Sequence, residues 1–340
     1  MKGKMTSVTC FLFVLALVLN CLPVAASEVV KAKIAEFSNA AHPCSMGTNE
    51  WVKEMEKRTN GNFKGEVYLS EALGKVTTYP ELLEKGGIDM ARLIPVYTPH
   101  KFPMIDASNL PFHWASSQAA VKAFYKLWPK GYFDKETAKM KLVALAMHSP
   151  YQIIANKPIN SVADVKGKRL RSGGGMWTSI LESWGAVPVQ LTTPEVYTSL
   201  ERGLIDGVVI GLASASAFRY EEVAKYVTLI NMGTSSSYFS MNLKFYNKLP
   251  KDIQKVINDL FDEQSKMGLG GKYFDDVEKG VMETWTKKGV QFYTPTKAEE
   301  SMWFQLAGST IEAWVKKTEE KGYPGKQIVT DLDALAKSIK

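Results

Sequence analysis

The chain is poor in the residues that most reaction chemistry needs. It has only three cysteines and four histidines in 340 residues. Two of the cysteines, Cys10 and Cys21, lie in the first 26 residues, so a chain cleaved there keeps Cys44 alone and has no internal disulfide. Such a fold must stand on its core. The histidines, His42, His100, His113 and His148, have no partner at metal-ligand spacing, and no metal or cofactor is expected. Cys44 lies near His42 but lacks an orienting third group, Gly211-Leu212-Ala213-Ser214-Ala215 lacks the last glycine of a nucleophile elbow, and the glycines at 173–175 lack the lysine and hydroxyl of a phosphate loop. No catalytic residue is assigned. Clustered basic faces with interleaved aromatics are missing as well, which argues against nucleic acid as a partner. Beyond the N-terminus no stretch approaches the roughly 20 apolar residues of a membrane span.

The N-terminus reads as a cleaved export signal. Lys2 and Lys4 precede an apolar run at 10–19 and the small-residue site Val24-Ala25-Ala26, which places the mature protein in the periplasm and leaves 314 residues. Loss of the two lysines takes the formal charge from +7 to +5, a mild bias toward anionic ligands. That length favours two domains. The opening third reads β, α, β, α, β with short connections, as helices packed on a largely parallel sheet do. Ligands in such sheets lie beyond the carboxyl ends of strands, which makes Arg92, Ile94 and Tyr97 candidates.

The most informative stretch is 164–211. A turn at Lys166-Gly167 leads to a strand in which Arg169 and Arg171 share one face and Leu170 the other. Gly174 lies in an accessible run of backbone before an apolar-periodic helix that contains Trp177 and stops at Gly185. A second strand, a second helix and a third strand ending in Val209, Ile210 and Gly211 complete the unit. From Pro250 the apolar residues Ile253, Val256, Ile257, Leu260 and Phe261 recur at helical spacing and resume at Phe274, Val277 and Val281. This predicts one helix of roughly forty residues spanning both domains.

Gly167-Lys168-Arg169-Leu170-Arg171, Gly185-Ala186-Val187-Pro188-Val189, Glu195-Val196-Tyr197 with Leu200 and Gly203, and Asp206-Gly207 together resemble the signature of solute-binding proteins of TRAP transporters, the DctP family. The likeness runs through Arg58-Thr59-Asn60-Gly61, Leu73-Gly74, Gly87-Ile88-Asp89-Met90, Leu110-Pro111-Phe112, and Asn242 with Leu249-Pro250. It implies an α/β, two-domain periplasmic binding protein of the Venus flytrap type, with domain I at 27–148 and 238–272, domain II at 149–237 and 273–325, and a tail helix at 326–340. It also implies a monomer that binds a small carboxylate in the cleft and hands it to the membrane permease subunits.

By position the resemblance makes Arg171 the carboxylate anchor, since a planar fork of donors meets a carboxylate through two parallel charge-assisted bonds. Asn39 matches a loop position that contacts solute in some members. Tyr151 stands where binders of sugar acids carry a second arginine, Val209 and Ile210 where they carry an acid-amide pair, and Ile94 where they carry an acid. Apolar groups there would strip water from sugar hydroxyls without replacing it. The expected solute is therefore a monocarboxylate with a hydrophobic or aromatic body, Trp177 being a candidate stacking wall and Gly174 and Gly211 completing the candidate contacts. The alternative is an exported enzyme acting on a small organic acid.

Overall fold

The structure is a computed structural model that describes residues 29–112 and 114–339. The expected export signal lies outside the described residues. Two sheets form the framework. The first runs β2-β1-β3-β10-β4, with β1 (Val30–Ala35) parallel to β2 (Phe63–Tyr68) and β3 (Met90–Leu93), and β10 (Ser236–Asn242) antiparallel between β3 and β4 (Met140–Met147). The second runs β11-β9-β5-β8-β6-β7, from β5 (Tyr151–Ala155), β6 (Arg169–Ser172), β7 (Val187–Gln190), β8 (Gly207–Gly211), β9 (Tyr226–Met232) and β11 (Gln291–Tyr293).

Local chemistry explains the elements. In β1, Lys31 and Lys33 face out while Ala32 and Ile34 are buried, the alternation of a half-covered strand. β4 and β10 are buried nearly throughout and read as continuous apolar or small-residue runs. The helix Pro43–Arg58 starts on a proline, with the His42 side chain accepting the Cys44 N–H as its cap. Gly167, at φ +73°, makes the turn into β6 that only glycine adopts without strain.

The chain leaves the first sheet after Met147, enters the second at Tyr151, and returns between Met232 and Ser236. These two crossings run side by side. His148 N–H donates to Ser235 O at 2.9 Å and Tyr151 N–H to Gly233 O at 3.3 Å, so the connection between the sheets is itself hydrogen-bonded.

The predicted forty-residue helix is instead three helices, Lys251–Met267, Leu269–Glu278 and Val281–Lys287. Gly268 ends the first in the left-handed conformation, φ +65°. Gly270 and Gly271 lie against other backbone, where an added Cβ would come within 2.0 Å of Leu145 O and 2.3 Å of the Ser117 carbonyl carbon. The glycines therefore serve close packing, and the chain turns there to achieve it. The longest helix among the described residues is Lys297–Glu319, whose Trp303 meets Trp184 at 4.7 Å between ring centroids. The C-terminal helix Gly325–Ser338 then returns toward the first sheet, its Asp331 accepting from Lys130 and Tyr132. No helix among the described residues is long and apolar enough to cross a membrane.

Candidate functional site

Strand ends from both sheets converge on one small cavity. Phe37 and His42 follow β1, Ile94, Val96 and Tyr97 follow β3, and His148 and Tyr151 flank the crossing; Arg171, Thr193, Ile210, Ser214 and Ser235 close it from the other side. The walls leave little space between them, so the sheets stand closed on one another.

Arg171 is the one charged side chain lining this cavity, and it is 2 % exposed. Its place in β6, between Val189 of β7 and Val208 of β8, carries it into the interior. Nε donates to Leu191 O at 2.9 Å and Nη2 to the Tyr97 hydroxyl at 3.2 Å, and the guanidinium carbon lies 5.9 Å from the Tyr97 ring centroid. The same hydroxyl accepts from Thr193 N–H at 3.0 Å. Among the described residues no carboxylate lies within 4.0 Å of Arg171. The charge is felt by Glu195, but both Thr192 N–H and Oγ1 already engage that carboxylate, and their hydrogen bonds hold it below its ordinary range. Arg169 is different: it is exposed, and Asp206 pairs with it through Nη2 at 2.9 Å and Nε at 3.2 Å.

Of the eleven candidates, Arg171, Ile94, Tyr97, Tyr151 and Ile210 meet in the cavity wall. The other six stand elsewhere. Arg92 is buried beneath the wall, where Nε approaches Glu36 at 3.6 Å and Nη2 donates to Thr48 Oγ1 at 2.7 Å, so its charge is already matched. Asn39 donates from Nδ2 to Ala217 O at 2.8 Å, bridging the sheets. Trp177 packs behind Tyr151, with ring centroids 4.9 Å apart. Val209 points to the opposite face of β8 from Ile210, as strand alternation requires. Gly211 lies against Ser149, and Gly174, at φ +114°, lets the backbone approach Val96 O, which a Cβ would meet at 2.8 Å.

Sequence reasoning missed the two histidines of this wall. His42 Nδ1 accepts Cys44 N–H at 3.1 Å, and Nε2 stands 3.1 Å from Ser214 Oγ. His148 Nδ1 stands 3.1 Å from Ser235 Oγ, with the ring stacked on Phe274 at 4.6 Å. Burial pushes both imidazoles down, His42 well below its ordinary value and His148 to about 3, so both are neutral. Cys44 Sγ lies 3.7 Å from His148 Nε2, but burial pushes the thiol up to about 12. A neutral thiol beside a neutral imidazole is not an activated nucleophile. The strand-end rule that picked out Tyr97 would also have picked out His42 and His148, which follow β1 and β4.

Residues 34–318 match the family model DctP, bacterial extracellular solute-binding protein, family 7. A solute-binding protein of Albidiferax ferrireducens is 27% identical over 292 residues, covering 81% of this chain and 80% of its own. A marine metagenome TRAP solute-binding protein specific for aromatic acid ligands, solved with 3-hydroxybenzoate, is 25% identical, with a TM-score of 0.87 over 92% of this chain and 100% of its own. A TRAP periplasmic solute-binding protein of Sulfitobacter sp. NAS-14.1, solved with β-D-galacturonate, shares the fold at 22% identity, with a TM-score of 0.77 over 91% of this chain and 99% of its own. The family match over most of the chain and these likenesses agree: the chain belongs to the DctP family, the extracytoplasmic solute-binding proteins of TRAP transporters.

Proposed function

We propose that this protein binds a small monocarboxylate with a hydrophobic or aromatic body in the cavity between its sheets and delivers it to the membrane permease. The observation that carries this reading is Arg171, a buried guanidinium with no carboxylate partner among the described residues. Taking a cation out of water costs several kcal/mol even after relaxation, and neutral partners recover only part of it. A solute carboxylate supplies the missing charge. Closure then depends on the solute, because burying Arg171 is favourable once an anion accompanies it.

The rest of the wall sets the kind of acid. Phe37, Ile94, Val96, Tyr97, Tyr151 and Ile210, half of the lining, present apolar or aromatic surface, which suits a flat hydrophobic body. The marine relative with 3-hydroxybenzoate supports this reading. The Sulfitobacter protein shows that the same fold also serves a sugar acid, so the argument rests on the wall and not on the fold.

Calorimetry of the mature chain with benzoate and galacturonate, alongside Arg171→Lys, tests the proposal. Saturable benzoate binding without any product, weakened roughly 10- to 100-fold by the lysine, is expected. Unchanged affinity in Arg171→Lys, or tighter binding of galacturonate, would overturn it. Turnover of the acid would favour the exported enzyme.

A further inference from the structure

Resting on the monocarboxylate reading, we infer that the cavity wall also recognises a hydroxyl group, through Ser214 held by His42. The solute assigned by this arrangement is an aromatic acid with one carboxylate at Arg171 and a neutral hydroxyl at Ser214.

The hydrogen-bond directions follow from the histidine. His42 Nδ1 accepts the Cys44 amide hydrogen, so in the neutral ring the proton sits on Nε2, which donates to Ser214 Oγ 3.1 Å away. Ser214's own hydroxyl hydrogen then has no acceptor among the described residues, and Ser214 lines the cavity. It offers a donor to a solute oxygen. Ser235, which faces the same space, is joined to His148 Nδ1 at 3.1 Å and to the Tyr151 side chain. Ser235 is thereby already engaged, whereas a solute hydroxyl can accept from Ser214; a hydrogen or methyl in its place leaves that donor unanswered.

Arg171 is the cation of the lining, and burial keeps the two imidazoles neutral. A second carboxylate beside Ser214 would lose its water and meet no cation of its own in the lining, so this wall excludes dicarboxylates.

Calorimetry with benzoate, 3-hydroxybenzoate, 4-hydroxybenzoate and isophthalate reads the inference directly. One hydroxybenzoate is expected to bind at least about tenfold tighter than benzoate, and isophthalate at least about a hundredfold weaker than that hydroxybenzoate. Ser214→Ala, a small change that keeps the His42 cap, should collapse the ratio of hydroxybenzoate to benzoate affinity to within about threefold. Benzoate binding as tightly as both hydroxybenzoates, isophthalate matching them, or a ratio untouched by Ser214→Ala would each overturn the hydroxyl assignment while leaving the Arg171 anchor standing. Failure of all four acids to bind would instead remove the carboxylate reading and this inference with it.

Discussion

The guanidinium of Arg171, on β6 of the second sheet, donates a 3.2 Å hydrogen bond to the hydroxyl of Tyr97, which follows β3 of the first. The contact joins the two sheets, and it holds a charged fork in place without neutralising it. Replacing that charge should uncouple closure from the solute. Arg171→Met is expected to lose carboxylate binding and to shift the ligand-free protein toward the compact form, because nothing charged remains to be desolvated. Small-angle scattering of the ligand-free variant checks this; a radius of gyration equal to that of the ligand-free parent would contradict it.

Asn39 tests the closed state in a second way. Its Nδ2 donates to Ala217 O at 2.8 Å while its Oδ1 accepts from Ala41 N–H at 3.0 Å, so the side chain is committed to these two bonds. One such bond contributes about 0.5–1.5 kcal/mol. Asn39→Ala should therefore weaken every bound acid by a similar factor, about three- to tenfold, mostly through faster release. Stopped-flow dissociation rates for two unlike acids decide the matter. A loss confined to one of them would make Asn39 a solute contact.

Much of this was legible in the residues, and the rest was hidden for identifiable reasons. Arg169 and Arg171 look alike in sequence; the resemblance separated them, and in the structure Asp206 pairs with the first while no acid among the described residues reaches the second. Ile94 and Tyr97 were legible as positions beyond a strand end, and Tyr151 and Ile210 through the resemblance. Trp177 was ambiguous because aromatic residues at helical spacing serve core and cleft alike, and here it backs Tyr151. His42 and His148 were hidden because their meaning comes from Ser214, Ser235 and Cys44, which only the fold brings to them. Apolar periodicity ran straight through Gly268 because side-chain spacing does not register the sign of φ.

Buried ionisable groups give the stability two opposed pH dependences. His148 is held at about 3 by burial, against an ordinary 6.5. Its contribution is present above about 6.5 and lost as pH falls toward 3, since the unfolded chain takes up a proton that the native state refuses. Asp106 behaves in the opposite sense. Burial raises it to about 6 from 3.8, although Asn109 Nδ2 donates to it at 2.9 Å and the Met176 N–H also donates. Its contribution is therefore present below about 3.8 and lost as pH rises through 6. Asp106→Asn, which keeps an acceptor for Met176 N–H, should stabilise the protein by about 1–2 kcal/mol at pH 7.5 and hardly at all at pH 4. Calorimetric unfolding at the two pH values checks it; a larger gain at pH 4 would reverse the assigned sign.

Two glycines separate helix propensity from packing. Gly308 lies inside the helix Lys297–Glu319 with nothing within 4 Å of an added Cβ, so Gly308→Ala should raise stability by about 0.5–1 kcal/mol through the unfolded chain's lost freedom. Gly270 lies inside Leu269–Glu278, where the same change earns the same propensity but sets a methyl 2.0 Å from Leu145 O and 2.7 Å from Ala146 Cα. Those are backbone atoms of the strand β4, with no rotamer to move aside. Overpacking of this kind costs about 1–3 kcal/mol, which exceeds the propensity gain, so Gly270→Ala should lower stability. Urea unfolding of the two variants is expected to move the midpoints in opposite directions. If both rise, the helix Leu269–Glu278 does not lie as close to β4 as the broken helix requires.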